Sequence, residues 1–124
     1  MIFKETHQKV MDGSKTQTRR LFRDGDFSVE WPMRCVFRND RLLWRENQTY
    51  AVQPGRGKHA IGRIGIIKIR RECLNAITHD DAQAEGAGRS LSAFADLWDS
   101  IHPKGKRWIN NPECWVLEFE LVKG

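Results

Sequence analysis

The stretch that most restricts the fold is HAIGRIGIIKIRREC, residues 59–73. Its isoleucines at 61, 64, 66, 67 and 69 are β-branched and favour extended backbone. Gly62 and Gly65 interrupt the run and mark a bulge or a close approach of another chain segment. A strand this long and glycine-punctuated belongs in a curved sheet or a small barrel. The chain's last run, ECWVLEFELV, alternates Cys114, Val116, Glu118 and Glu120 with Trp115, Leu117, Phe119 and Leu121, which predicts a half-buried strand.

Shorter signals fill in the rest. Residues Lys4 to Asp12 can form a short helix, with Gly13 placed to cap its C-terminus. Asp24-Gly25-Asp26 is a turn signal, and Asn39-Asp40 separates MRCVF from RLLW as the arms of a hairpin. TYAVQ reads as a strand ending in the loop Pro54-Gly55-Arg56-Gly57-Lys58. Thr78 and Asp81 form a capping-box pattern at the start of a helix that ends near Gly86. Ser90 opens a second helix, in which Leu91, Phe94, Leu97, Trp98 and Ile101 share a face read as core. Strands around a block of short helices predict one α+β domain over residues 1–124.

Composition limits the function classes. No run approaches the roughly 18 apolar residues of a membrane helix, and MIFKETHQKV lacks a signal-peptide core, so a cytoplasmic protein is expected. Cys35, Cys73 and Cys114 form no CxxC pair and are read as small hydrophobes. The histidines show no HExxH or HxH spacing; neither metal nor other cofactor is expected. Through Glu72 the chain has 16 Lys/Arg against 8 Asp/Glu, and from Cys73 onward 5 against 8. That asymmetry suits a polyanion or a phosphate-bearing ligand.

Between Gly13 and Arg20 the sequence is GSKTQTRR, and Lys15 to Arg20 contains no apolar residue. The segment therefore reads as an exposed strand or ordered loop, not a core element. Two chemistries suit it. Lys15, Thr16, Arg19 and Arg20 can bind phosphate through charge and hydrogen bonds, joined by Arg56, Lys58 and Arg63 if the PGRGK loop lies alongside. Alternatively, a threonine hydroxyl becomes nucleophilic when a neighbouring amine of lowered pKa takes its proton. A carboxylate is then needed, and residue chemistry alone leaves Glu85, Glu72 and Asp81 open. Lys15 and Thr18, three apart, point to opposite faces of a regular strand, so a shared site requires a turn or bulge.

Taken in order, G-x-K-T-x-T-R-R, Tyr50 to Lys58, the GRI strand, D-A-x-A-E-G, Leu97-Trp98-Asp99 and the W-V-L-E-F-E-L strand resemble the ASCH domain family over nearly the whole chain. The resemblance implies a PUA-like fold, a small β-barrel flanked by short helices, with a cleft that binds RNA or a modified nucleotide. One branch of that family deacylates N4-acetylcytidine with a lysine, a threonine and a glutamate, which implies Lys15, Thr18 and Glu85 here. Arg19-Arg20 directly after Thr18 and the PGRGK loop depart from that branch. Trp31, Trp44 or Trp108 could stack on a base, although large aromatics usually pack in small cores.

Overall fold

The computed structural model describes residues 1–122. Seven strands form two antiparallel sheets. The larger has the order β1 (Gln17–Leu21), β7 (Glu113–Leu121), β6 (Gly62–Cys73), β5 (Thr49–Val52). The smaller joins β2 (Asp26–Val29), β3 (Cys35–Arg38) and β4 (Arg41–Arg45). Three helices complete the domain: α1 (His7–Met11), α2 (His79–Ala84) and α3 (Leu91–Ile101).

The long isoleucine strand is β6, and its bulge falls at Ile67, between the pairs Ile66↔Phe119 and Lys68↔Glu118. Ile64 and Ile66 face inward with period two; the extra residue resets the phase so that Ile69 also faces inward, while Ile67 is exposed. Gly62 serves the close approach instead: a Cβ there would lie 2.5 Å from the Met11 methyl. β7 is more buried than its alternation predicts, with Cys114 through Leu117 all inaccessible. It is an inner strand between β1 and β6, with helices under one face and the smaller sheet over the other.

The expected closed barrel is not formed among the described residues. The free edge of β5 is taken by the N-terminal segment, where Phe3 N–H donates to Gln53 O and Gln53 N–H to Met1 O, each at 2.9 Å. From there to β1 a side chain replaces the ladder: Arg20 Nη2 donates to Ile2 O at 2.9 Å. The sheet curls without closing, and a cleft opens at the gap. No helix among the described residues is long and apolar enough to cross a membrane.

The local helix signals act as written. Thr78 and Asp81 form the reciprocal capping box of α2, and the Ser90 hydroxyl accepts from Ala93 N–H at the start of α3. Phe94 and Trp98 of α3 pack with Leu74, Ile77, Ala82 and Cys114. Val36, Ile66, Ile69, Trp115 and Leu117 form the core between the sheets.

A buried carboxylate also joins the sheets. Asp26 of β2 accepts from Arg38 Nε (2.7 Å) and Nη2 (3.1 Å), from Arg23 N–H (3.0 Å) and from Trp115 Nε1 of β7 (3.0 Å). Burial alone would raise its pKa, but these donors together hold it below the ordinary 3.8. Its contribution to stability is therefore full above the unfolded value and is lost as pH falls through the lower native one. Asp26→Asn is expected to cost about 2–3 kcal/mol at neutral pH in urea unfolding, with the deficit vanishing in acid. A deficit independent of pH would show that packing, not charge, is lost.

Candidate functional site

The segment that sequence reads as an exposed strand or loop is instead largely buried: Lys15, Gln17, Thr18 and Arg19 each keep only a few per cent of their surface exposed. Partners distant in sequence make this possible. Arg19 lies in β1 with its guanidinium enclosed by carboxylates from β6 and α2. Nη1 donates to Glu85 Oε2 (3.0 Å) and Gln17 Oε1 (2.5 Å), and Nη2 pairs with Glu72 and, at 3.5 Å, with Asp81. Gln17 Nε2 also donates to Asp81 Oδ1 at 3.2 Å. Arg19 is thus committed to the protein's own acids and has no exposed side-chain surface to offer a ligand.

Lys15 escapes the alternation of a strand because β1 begins only at Gln17. Gly13 takes φ +83°, in the left-handed region glycine favours. The segment is then clamped between two helix ends: Lys15 N–H donates to Lys9 O of α1 (3.0 Å), and Thr16 N–H to Ala84 O of α2 (2.7 Å). This brings Lys15 Nζ to 3.0 Å from Glu85 O and 3.4 Å from Glu85 Oε1. Of the three carboxylates left open by sequence, Glu85 is the one paired with Lys15.

Burial pushes the Lys15 ammonium below the ordinary 10.5, against the opposing pull of Glu85. Burial likewise raises the Glu85 carboxyl above 4.5, against the pull of Lys15 and Arg19. The directions converge, so transfer of one proton between this amine and carboxylate is favoured relative to the same groups in water. Thr18, on the next regular turn of the pleat, lines the same cleft as Lys15 and Glu85. Its hydroxyl makes no hydrogen bond to protein among the described residues.

The cleft has a volume of about 990 Å³, within the range of small-molecule sites. Phe3, Phe22, Trp44, Phe94 and Trp98 contribute aromatic wall, and Arg20 and His102 contribute polar edges. His102 stacks on Trp98 with centroids 3.7 Å apart; its Nδ1–H donates to Trp98 O (3.0 Å), leaving Nε2 as acceptor. Burial, aided by the Arg20 charge, lowers its pKa and favours the neutral ring.

The remaining predicted phosphate ligands are not gathered there. Thr16, Arg56, Lys58 and Arg63 are exposed and do not line the cleft. Arg56 and Lys58 belong to the β5–β6 connection, at the sheet edge opposite β1, and Arg63 Nη2 donates to Thr49 Oγ1 (3.0 Å). Trp31 is 84% exposed and Trp108 packs edge-on against Phe94; Trp44 alone of the three candidate stacking residues reaches the cleft. Sequence reading missed the cleft role of His102 and Phe22, which have no local signal beyond being half-buried aromatics. Among the described residues no group of three His, Cys, Asp or Glu side chains is placed to hold a metal.

Removing the hub should expose its electrostatic role. Arg19→Leu leaves Glu72, Asp81 and Glu85 without their shared cation, at an expected cost of about 3–5 kcal/mol in chemical unfolding at neutral pH. Protonation then relieves the repulsion, so the deficit should narrow toward about pH 5. A deficit that stays constant or widens would contradict that role.

No family model and no curated protein matches the sequence. Solved structures share its fold. An ASCH domain from Lactobacillus crispatus JV V101 aligns with TM-score 0.58 and 18% identity, over 93% of this chain and 69% of that one. A DUF984 protein, EF3133 from Enterococcus faecalis V583, aligns with TM-score 0.61 and 19% identity, over 94% of this chain and 69% of that one. Strand order, helix placement and cleft considered together, the chain has the fold of an ASCH domain.

Proposed function

We propose that the cleft binds a nucleoside-like ligand and hydrolyses an amide on its base, in the manner of an N4-acylcytidine amidohydrolase. The observation that carries this reading is the convergence of Lys15, Thr18 and Glu85 in one aromatic-walled cleft, with Lys15 and Glu85 paired and the Thr18 hydroxyl without a hydrogen-bond partner among the described residues.

Lys15, with its amine neutral, takes the Thr18 hydroxyl proton as Oγ1 attacks the acyl carbon. The carbonyl π electrons move to oxygen. They return as the C–N bond breaks, and the amine nitrogen leaves with a proton supplied by Glu85. Water then adds to the Thr18 ester as Glu85 takes its proton, and the Lys15 ammonium returns a proton to Thr18 Oγ1 as the ester C–O bond breaks, which releases the carboxylic acid and restores the hydroxyl, the neutral amine and the protonated carboxyl. Arg19 does not touch the reacting atoms in this scheme; it is a positioning residue that holds Glu85 through Oε2 while Oε1 faces Lys15. Phe22, Trp44 and the Trp98–His102 stack supply faces against which a base can lie.

RNA binding is the second reading, favoured by the exposed cations Arg56, Lys58 and Arg63 and by Lys4, Arg23 and Lys106 at the cleft. Backbone contacts by such groups would make affinity fall steeply with salt.

Incubation with N4-acetylcytidine, following cytidine release, tests the first reading. Release by the unaltered protein should fall at least about a hundredfold in Lys15→Ala and reach background in Thr18→Ala. The rate should pass through a maximum as pH rises, because turnover needs Lys15 uncharged and Glu85 protonated at once, and the fall on the alkaline side, where the pair loses its one proton, should be governed by a pKa below 10.5. Turnover retained by Thr18→Ala would eliminate the threonine as nucleophile. No release at all, with salt-sensitive binding to short RNAs, would favour the second reading.

A further inference from the structure

Arg20 is a cation for which the fold supplies no acid. Five arginines of the chain are not exposed, and four of them, Arg19, Arg34, Arg38 and Arg70, have a carboxylate oxygen within 3.5 Å. Arg20 has no carboxylate partner among the described residues. One donor is used, Nη2 to Ile2 O at 2.9 Å, and the Phe3 ring covers the guanidinium with its centroid 5.1 Å away. Its buried Nε has no partner among the described residues, a feature shared with Arg19, but Arg20 lines the cleft without any carboxylate of its own.

An enclosed guanidinium without a counter-charge is costly, and the cost is recovered when an anion arrives in a dry, preformed fork. Burial also disfavours its charge, which only Glu85 offsets, and not by direct contact. Position relates this fork to the reaction. Arg20 and Thr18 are two apart on β1 and face the same way, with Cα atoms about 7 Å apart. An anion on Arg20 therefore lies within one mononucleotide's dimensions of the Thr18 hydroxyl.

We infer that Arg20 receives an anionic group of the ligand, a phosphate or a carboxylate, so that the preferred ligand of this cleft is a charged nucleotide or a carboxyacyl nucleoside in place of a neutral nucleoside. The inference rests on the cleft being the ligand site proposed above, but not on hydrolysis taking place there. Arg20 in this role is a specificity determinant, and Arg19, its neighbour on the other face, is excluded from it by its own acids.

Binding separates the two sources of charge and keeps hydrolysis out of the readout. Calorimetry on the Thr18→Ala protein compares cytidine with cytidine 5′-monophosphate, and N4-acetylcytidine with N4-(3-carboxypropanoyl)cytidine. At least one anionic ligand should bind about tenfold to a hundredfold more tightly than its neutral counterpart, as a charge-assisted pair provides. The first comparison detects a phosphate site, the second a carboxylate site. Arg20→Gln should abolish the advantage and Arg20→Lys should restore part of it. If Arg20→Gln disturbs the N-terminal segment, the comparison in protein retaining Arg20 still decides whether an anion is preferred. Equal or weaker binding of both anionic ligands, no binding by either, or an advantage that survives in folded Arg20→Gln would overturn the inference. Anion preference without any turnover of N4-acetylcytidine by the unaltered protein would remove the hydrolase reading and leave the role of Arg20 standing.

Discussion

A single buried guanidinium, that of Arg19, organises the functional half of this domain. Withdrawing it from water costs several kcal/mol unless acids follow it inside. Glu72 arrives on β6, Asp81 on α2 and Glu85 at the C-terminal cap of α2. The helix depends on this arrangement more than on apolar packing: its six residues bury only Ala82, and a helix that short does not hold itself together in water. The capping box fixes its first turn, Arg19 and Arg70 take Asp81, and the backbone bond from Thr16 anchors its end. Tying α2 to β1 in this way sets Glu85 against Lys15. The edge strand is thereby both structural and functional, Gln17 and Arg19 serving the network while Thr18 and Arg20 line the cleft without a carboxylate partner among the described residues.

The chemistry of the site follows from which effect wins at Lys15. Glu85 attracts a proton to the amine, while burial opposes the charge, and burial is the larger effect. The Arg20 and Lys9 charges push in the same direction as burial, and Arg19 draws on the same Glu85 carboxylate. Elsewhere the fold keeps its buried charges strongly compensated, as at Asp26 with four donors between the sheets. The contrast marks the cleft as a place where compensation is left incomplete, at Lys15 and more completely at Arg20.

Legibility in the sequence followed the range of the interaction. The α2 capping box, the Ser90 cap and the β3–β4 hairpin at Asn39 are encoded within a few residues and form where expected; of the α3 face read as core, Phe94 and Trp98 are buried but Ile101 is exposed. The ASCH-like fold was carried by ordered motifs. Burial of Gln17 and Arg19 was not legible, because the acids that permit it stand 53 to 66 residues away. The site's carboxylate could not be chosen by residue type, since Glu72, Asp81 and Glu85 all reach Arg19; only backbone placement distinguishes them. The β5–β6 cations join Lys15 only if their loop lies beside it, and strand order sets the two at opposite sheet edges. Barrel closure failed for a similar reason, as the N-terminal segment occupies the edge that closure would need.

The most direct measurement is a carbon-13 NMR titration of the Lys15 side chain at Cε, in the unaltered protein and in Arg19→Lys. Lys15 should titrate below the ordinary 10.5 in the unaltered protein, because burial outweighs its pairing with Glu85. It should rise when the shorter ammonium of Arg19→Lys loosens its hold and leaves more of the Glu85 carboxylate to Lys15. A Lys15 value at or above 10.5 in the unaltered protein would contradict the account in which burial prepares this amine to act as a base.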